Sequence, residues 1–158
     1  MSKINKYLAI ELVQAKIQNW CAYQERSHFE LEKKLFEFEL TDDEKLLIIS
    51  SLTSNNFINE ERFALAFTRG KFKIKNWGKL KIQMHLKQHK VSQKLINQAL
   101  NTISDQEYIT VINKLINLKL KSIKSLPLTI KKHKLINFLQ SKGYEFDVVL
   151  NEINKIKK

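Results

Sequence analysis

Turn-making residues are nearly missing from this chain, which has 3 Gly and 1 Pro in 158 residues. Sandwiches and barrels reverse direction many times and need such residues, so their scarcity argues against those architectures and for helices with short connections. Cys21 is the sole cysteine. That excludes an internal disulfide framework and a thiolate-based zinc knuckle, and beside Trp20 in a helical pattern it reads as an ordinary packing residue. Long apolar runs are absent too. Lys, Glu, Gln and Asn interrupt the stretch from Met1 to Tyr23, so neither a signal peptide nor a membrane span is expected and the protein should stay in the cytoplasm. There is no glycine-rich phosphate loop and no Ser, His and acid spacing of a nucleophilic triad. Neither catalysis nor a cofactor is expected.

A further absence is local. Between Arg62 and Ser104 there is no Asp or Glu at all. The formal charge of +12 is correspondingly uneven. Residues 1 to 54 carry 7 basic and 9 acidic groups, net −2; residues 55 to 104 carry 10 and 2, net +8; residues 105 to 158 carry 11 and 5, net +6. The middle of the chain therefore projects a positive field toward a polyanion or an acidic surface. A Lys-, Asn- and Ile-rich genome bias is the plain alternative, but it would spread the lysines more evenly.

What is present is helical punctuation and helical spacing. Ser27 to Glu30, Thr41 to Glu44 and Ser104 to Glu107 match the capping box, in which hydroxyl and carboxylate satisfy orphan N–H groups reciprocally. Pro127 fits the first turn of another helix, where its missing N–H is no loss. Ile10, Val13, Ile17 and Trp20 keep one apolar stripe, and Ile109, Ile112, Ile116 and Ile123 another. Lys71 to Lys75 alternates with period two and could be a lysine-blunted edge strand. Continuation of a helix begun at Asn59, through Phe63, Phe67, Gly70 and Ile74, is preferred because no partner strand is evident.

A weak internal repeat of about 50 residues organises these helices. Leu31, Leu35 and Leu52 correspond to Ile82, Leu86 and Ile103, and then to Leu135, Leu139 and Ile156. The expected fold is all-α: three tandem three-helix repeats over 1–54, 55–104 and 105–158, stacked on their neighbours into a curved, elongated body.

Several residues are candidates for recognition. Arg62 and Arg69 lie seven apart, on one side of a helix, and an Arg fork suits carboxylate or phosphate; a solvated ion pair is the alternative for Arg62. Lys71, Lys73, Lys75, Lys79 and Lys81 join Arg69 to place six cations in thirteen residues, with Phe72 and Trp77 interleaved. That is the pattern of a phosphate-tracking patch. Arg69, Lys73, Lys75 and Lys79 are expected to be largely solvated. Trp77-Gly78 is either a contact presented at a sharp helix junction or, as preferred, a Trp filling space between repeats while Gly78 permits close packing. His85 and His89 stand at i, i+4, but without a third ligand or an intervening Glu no metal site is expected.

Residues 57 to 64, Phe-Ile-Asn-Glu-Glu-Arg-Phe-Ala, with Arg69 and then Trp77 to Ile82 and Leu86, resemble the central signature of the RecX family. Tyr23 to Leu35 resembles that family's first-repeat signature, and Leu135, Leu139 and the Lys142-Gly143-Tyr144 turn match its third repeat more loosely. The likeness runs from about residue 7 to about residue 155. Two departures stand out. Asn59 replaces an acidic residue, and His89-Lys90 replaces a glycine common between the short helices of the second repeat. The resemblance implies a modular protein of three-helix repeats that binds RecA filaments, lies in their groove and limits filament growth or strand exchange; a monomer without enzymatic activity is expected. Contact with single- or double-stranded DNA, directly or through RecA, is expected, and Arg26 and Lys87 are further candidate contacts. A stand-alone basic nucleic-acid-binding protein is the rival reading.

Overall fold

The computed structural model describes residues 3–157, and among them the chain forms nine helices and no strand. In order these are α1 (Lys3–Tyr23), α2 (His28–Leu35), α3 (Asp42–Ser54), α4 (Glu60–Lys75), α5 (Lys79–Gln88), α6 (Gln93–Leu100), α7 (Asp105–Ser122), α8 (Leu128–Ser141) and α9 (Phe146–Ile153). The fold is all-α. Lys71 to Lys75 is the last turn of α4, ended by Asn76 in the left-handed conformation at φ 56.

The helix starts follow local chemistry. All three capping boxes form, at Ser27, Thr41 and Ser104, and Asn59 caps α4 by accepting from the Arg62 N–H at 2.8 Å. Pro127 sits one residue earlier than its expected place. It is the N-cap of α8, and its carbonyl accepts the Lys131 N–H at 2.9 Å. At the second departure from the RecX pattern, Lys90 adopts the left-handed conformation (φ 58) that a glycine would take without strain. Val91 N–H then donates to the Leu86 carbonyl at 3.1 Å, so the turn is kept.

The helices pack chiefly in consecutive threes: α1 and α2 on α3, α4 to α6 on one another, α7 to α9 on one another. The apolar positions aligned in the sequence are the centres of this packing. Leu31, Leu35, Leu52, Ile82, Leu86, Leu135 and Leu139 are fully buried, and only Ile156 is partly exposed. The stacking is unequal, however. Buried side chains of α4 to α9 form a single core running from Phe63 and Phe72 to Tyr144 and Val149. Those of α1 to α3, with Ile58, form a separate smaller one. The first three helices meet the next through hydrogen bonds and rings instead. His28 N–H donates to Glu60 at 2.6 Å, Arg62 donates to Glu25 at 2.7 Å, and Ser27 Oγ lies 3.0 Å from His89 Nδ1.

The joint between α5 and the α8–α9 turn is closer than side chains allow. Gly78 is the N-cap of α5 and has no side chain with which to cap it. Its own N–H donates to the Lys142 carbonyl at 2.7 Å, Lys79 N–H to the Tyr108 hydroxyl at 2.9 Å, and Leu80 N–H to the Gly143 carbonyl at 2.9 Å. The Tyr108 hydroxyl in turn donates a hydrogen bond to the Glu145 carboxylate, and the Tyr144 hydroxyl donates to the Asn76 carbonyl at 2.8 Å. A Cβ on Gly78 would land on the Gly143 carbonyl, and one on Gly143, whose φ is +96, would land on Lys81.

Gly143→Ala therefore combines a left-handed penalty of about 1–2 kcal/mol with a backbone collision, and should lower the urea midpoint strongly. Gly70→Ala, in α4 with open space around it, should raise stability by about 0.5–1 kcal/mol. Leu86→Ala should cost about 2–5 kcal/mol in the same assay.

Candidate functional site

The candidate cations divide into three kinds once the helices are in place. Arg26, Arg62 and Arg69 serve as internal ties. Arg26 lies 4.3 Å over the Trp20 ring and donates to the Trp20 carbonyl at 3.3 Å, fastening the turn after α1. Arg62 joins Glu25 and the Asn56 carbonyl, both at 2.7 Å. Arg69 holds Glu107 at 3.2 Å and the Thr102 carbonyl at 3.3 Å. The expectation that Arg69 is largely solvated is corrected: its fork bridges α4 to the start of α7. That bond, with the backbone N–H of Ser104, holds the Glu107 carboxyl below its ordinary value.

Lys71, Lys79 and Lys81 are half-buried and sit on rings. The Lys71 and Lys81 ammoniums lie 5.0 and 4.6 Å from the Trp77 ring centre, and Lys79 lies 4.9 Å from that of Tyr108. Lys79, also expected to be free, is thus part of the α5 joint. Lys73, Lys75 and Lys87 are exposed. No carboxylate among the described residues lies within ion-pair distance of any of these six lysines. The patch is therefore a predominantly cationic surface spanning the end of α4 and the length of α5, with Glu107 beside Lys73 at its edge.

Beside it opens a cleft of about 470 Å³ at the seam between α1–α2 and α4–α5. Phe63 and Phe67 from α4, His85 from α5, His89 at its C-cap, and Trp77 from the turn between the two helices supply its rings. Trp77 stands 4.6 Å from His85, and Phe63 5.1 Å from His89. Trp77 is half-buried against the large core, so it both fills space and fronts the cleft. Glu25, Glu30 and Lys71 complete the wall. From spacing alone His85 and His89 are an i, i+4 pair with no metal site expected, which leaves their role open. The signal for their actual setting was available: Phe63 and Phe67 are also i, i+4, so two aromatic pairs on consecutive helices can face each other.

Burial, and then Lys81, Lys71 and His89 in that order, push the His85 pKa below its ordinary 6.5. Below about pH 6.5 the unfolded chain takes up this proton and the folded chain does not, so stability falls as the pH drops through that value. The urea midpoint should decline from pH 7.5 to pH 5.5, and His85→Gln should remove part of that decline. An identical pH profile in the variant would show that His85 is not the group responsible.

Comparison with known proteins matches residues 59–100 to the family description "RecX, second three-helix domain". The regulatory protein RecX of Lactococcus lactis subsp. cremoris strain MG1363 is 31% identical over 133 residues, covering 82% of this chain and 49% of that protein. The regulatory protein RecX of Clostridium tetani is 32% identical over 111 residues, covering 69% and 50%. The chain thus spans about half the length of these curated relatives. In fold it resembles the crystal structure of RecX from Lactobacillus salivarius, with a TM-score of 0.84 and 21% identity over 92% of this chain and 95% of that one. The matched stretch is α4 to α6, with the ring-lined turn and the cationic face, and on these findings the chain belongs to the RecX family.

Proposed function

We propose that this protein is a non-catalytic regulator in DNA recombination and repair that binds the RecA nucleoprotein filament and restrains its activity. The relatives named above are regulatory proteins. The observation that carries the reading is the cationic face of α4 and α5, where Lys73, Lys75 and Lys87 stand exposed with no carboxylate within ion-pair distance among the described residues. A long-range positive field of this kind suits a polyanionic partner. Three three-helix repeats, 1–54, 55–104 and 105–158, would present it along an elongated body, placing the basic repeats toward DNA or acidic RecA surface. No described helix is long and apolar enough to cross a membrane, in keeping with a cytoplasmic setting.

The test is RecA-dependent ATP hydrolysis at fixed, saturating single-stranded DNA. Inhibition that persists with free DNA in excess over this protein excludes competition for DNA and supports filament binding. Inhibition that vanishes favours the stand-alone DNA-binding reading. Lys73→Glu, Lys75→Glu and Lys87→Glu together should leave helicity and urea midpoint near wild type, since these side chains are solvated, while the inhibitory concentration rises about tenfold or more. For each phosphate contact removed, the slope of log affinity against log salt should fall by about 0.7–0.9. A folded variant that inhibits as well as wild type would remove this face from the mechanism.

A further inference from the structure

The ring-lined cleft has a chemistry of its own that filament binding does not require. We propose that it holds one unstacked nucleobase of a single strand, with the adjoining phosphate meeting Lys71 and Lys81.

Shape comes first. A cleft of about 470 Å³ walled by Phe67, Trp77 and His85 accepts a flat aromatic guest, and its size falls within the ordinary range for small-ligand sites, about 300–1,000 Å³. Every base has a π-face, so stacking on such rings needs no particular sequence.

Charge then decides which flat guest enters. Of the two carboxylates in the wall, Glu25 is paired with the Arg62 guanidinium at 2.7 Å, and Glu30 keeps its charge, accepting the Ser27 N–H at 3.0 Å in a capping box with His89 Nδ1 4.0 Å away. Lys71 and Lys81 reach no carboxylate among the described residues and rest on the Trp77 ring. A cationic guest, such as an arginine or lysine from a partner, would meet those two ammoniums against a single acid without a full cationic partner, Glu30. An anionic guest lets both swing on flexible stems from the ring to a phosphate, clearing the Trp77 face for the base. The same local positive potential helps to keep His85 neutral.

Position completes the case. Lys71 in the cleft wall belongs to the same last turns of α4 as the exposed Lys73 and Lys75, which are free to take further phosphates of a strand leaving the cleft.

The test needs no RecA, so its failure leaves the filament reading untouched, and failure of RecA inhibition leaves this inference untouched. Binding of the full chain is measured by fluorescence anisotropy to a short oligothymidylate, to the same backbone made abasic throughout, and in competition with an acidic phenylalanine-containing peptide. The base-bearing strand should bind at least about fivefold tighter than the abasic one, the low end of base–aromatic stacking. Lys71→Met with Lys81→Met keeps the rings, and should reduce the salt slope for oligothymidylate by about 1.4, two single-strand contacts. In a Trp20→Phe background, Trp77 fluorescence should be quenched by the base-bearing strand and not by the abasic one. Should Trp20→Phe fail to fold, the abasic comparison and the lysine variant decide alone. Equal affinity for the two strands would overturn the proposal. So would efficient displacement by the acidic peptide, which would make the cleft a peptide site.

Discussion

The start of α5 has three N–H groups and, with Gly78 at its N-cap, no capping side chain of its own to receive them, and the rest of the second half is arranged around that deficit. Orphan donors at a helix start must find acceptors when they are covered. Here Lys142, Gly143 and Tyr108 provide them from α7 and from the turn after α8. Because two of the three acceptors are backbone carbonyls, those of Lys142 and Gly143, the two backbone segments must approach to hydrogen-bond distance, which only Gly78 opposite Gly143 permits. That contact draws the apolar faces of α4–α6 and α7–α9 into one core. It also fixes the Asn76–Trp77 turn, through the Tyr144 hydroxyl, and so sets where Trp77 and Lys81 stand. The joint thereby connects packing to the candidate site.

The junction with α1–α3 is of another kind. Its members are Glu60, Arg62, Glu25, Ser27 and His89, and no shared apolar cluster crosses it. Polar junctions hold less tightly than cores, because exposed ion pairs contribute about 0–1 kcal/mol each. A cleft can persist there because rings line it without closing it. The charge arrangement follows the same division. Arginines, whose planar forks suit fixed bidentate geometry, are used for internal ties, and lysines remain at the surface as mobile point charges.

Much of the fold was legible in sequence because its signals are local. Capping boxes need only residues three apart, so Ser27, Thr41 and Ser104 announced their helices. Apolar spacing placed Leu31, Leu86 and Leu135 inside. Burial of a residue on a periodic face depends on its own helix, and not on which neighbour covers it. The candidate site was legible by half. The acid-free stretch marked the cationic face, but charge counting could not tell Lys73, which is exposed, from Arg69, which is bound to Glu107. The partner lies 38 positions away, and nothing in the spacing joins them.

By itself the sequence determined helix content, helix starts, the inward faces and the uneven charge, since each is set by residues within a few positions of one another. Tertiary structure alone decided that the second and third groups of helices share a core while the first does not, that Tyr108 and the Lys142–Gly143 turn cap α5, and that two aromatic pairs meet across α4 and α5. Those outcomes depend on groups roughly 30 to 70 residues apart meeting within hydrogen-bond or ring-contact distance. Their strength falls away within an ångström or so of misplacement, a precision that a periodic pattern does not encode.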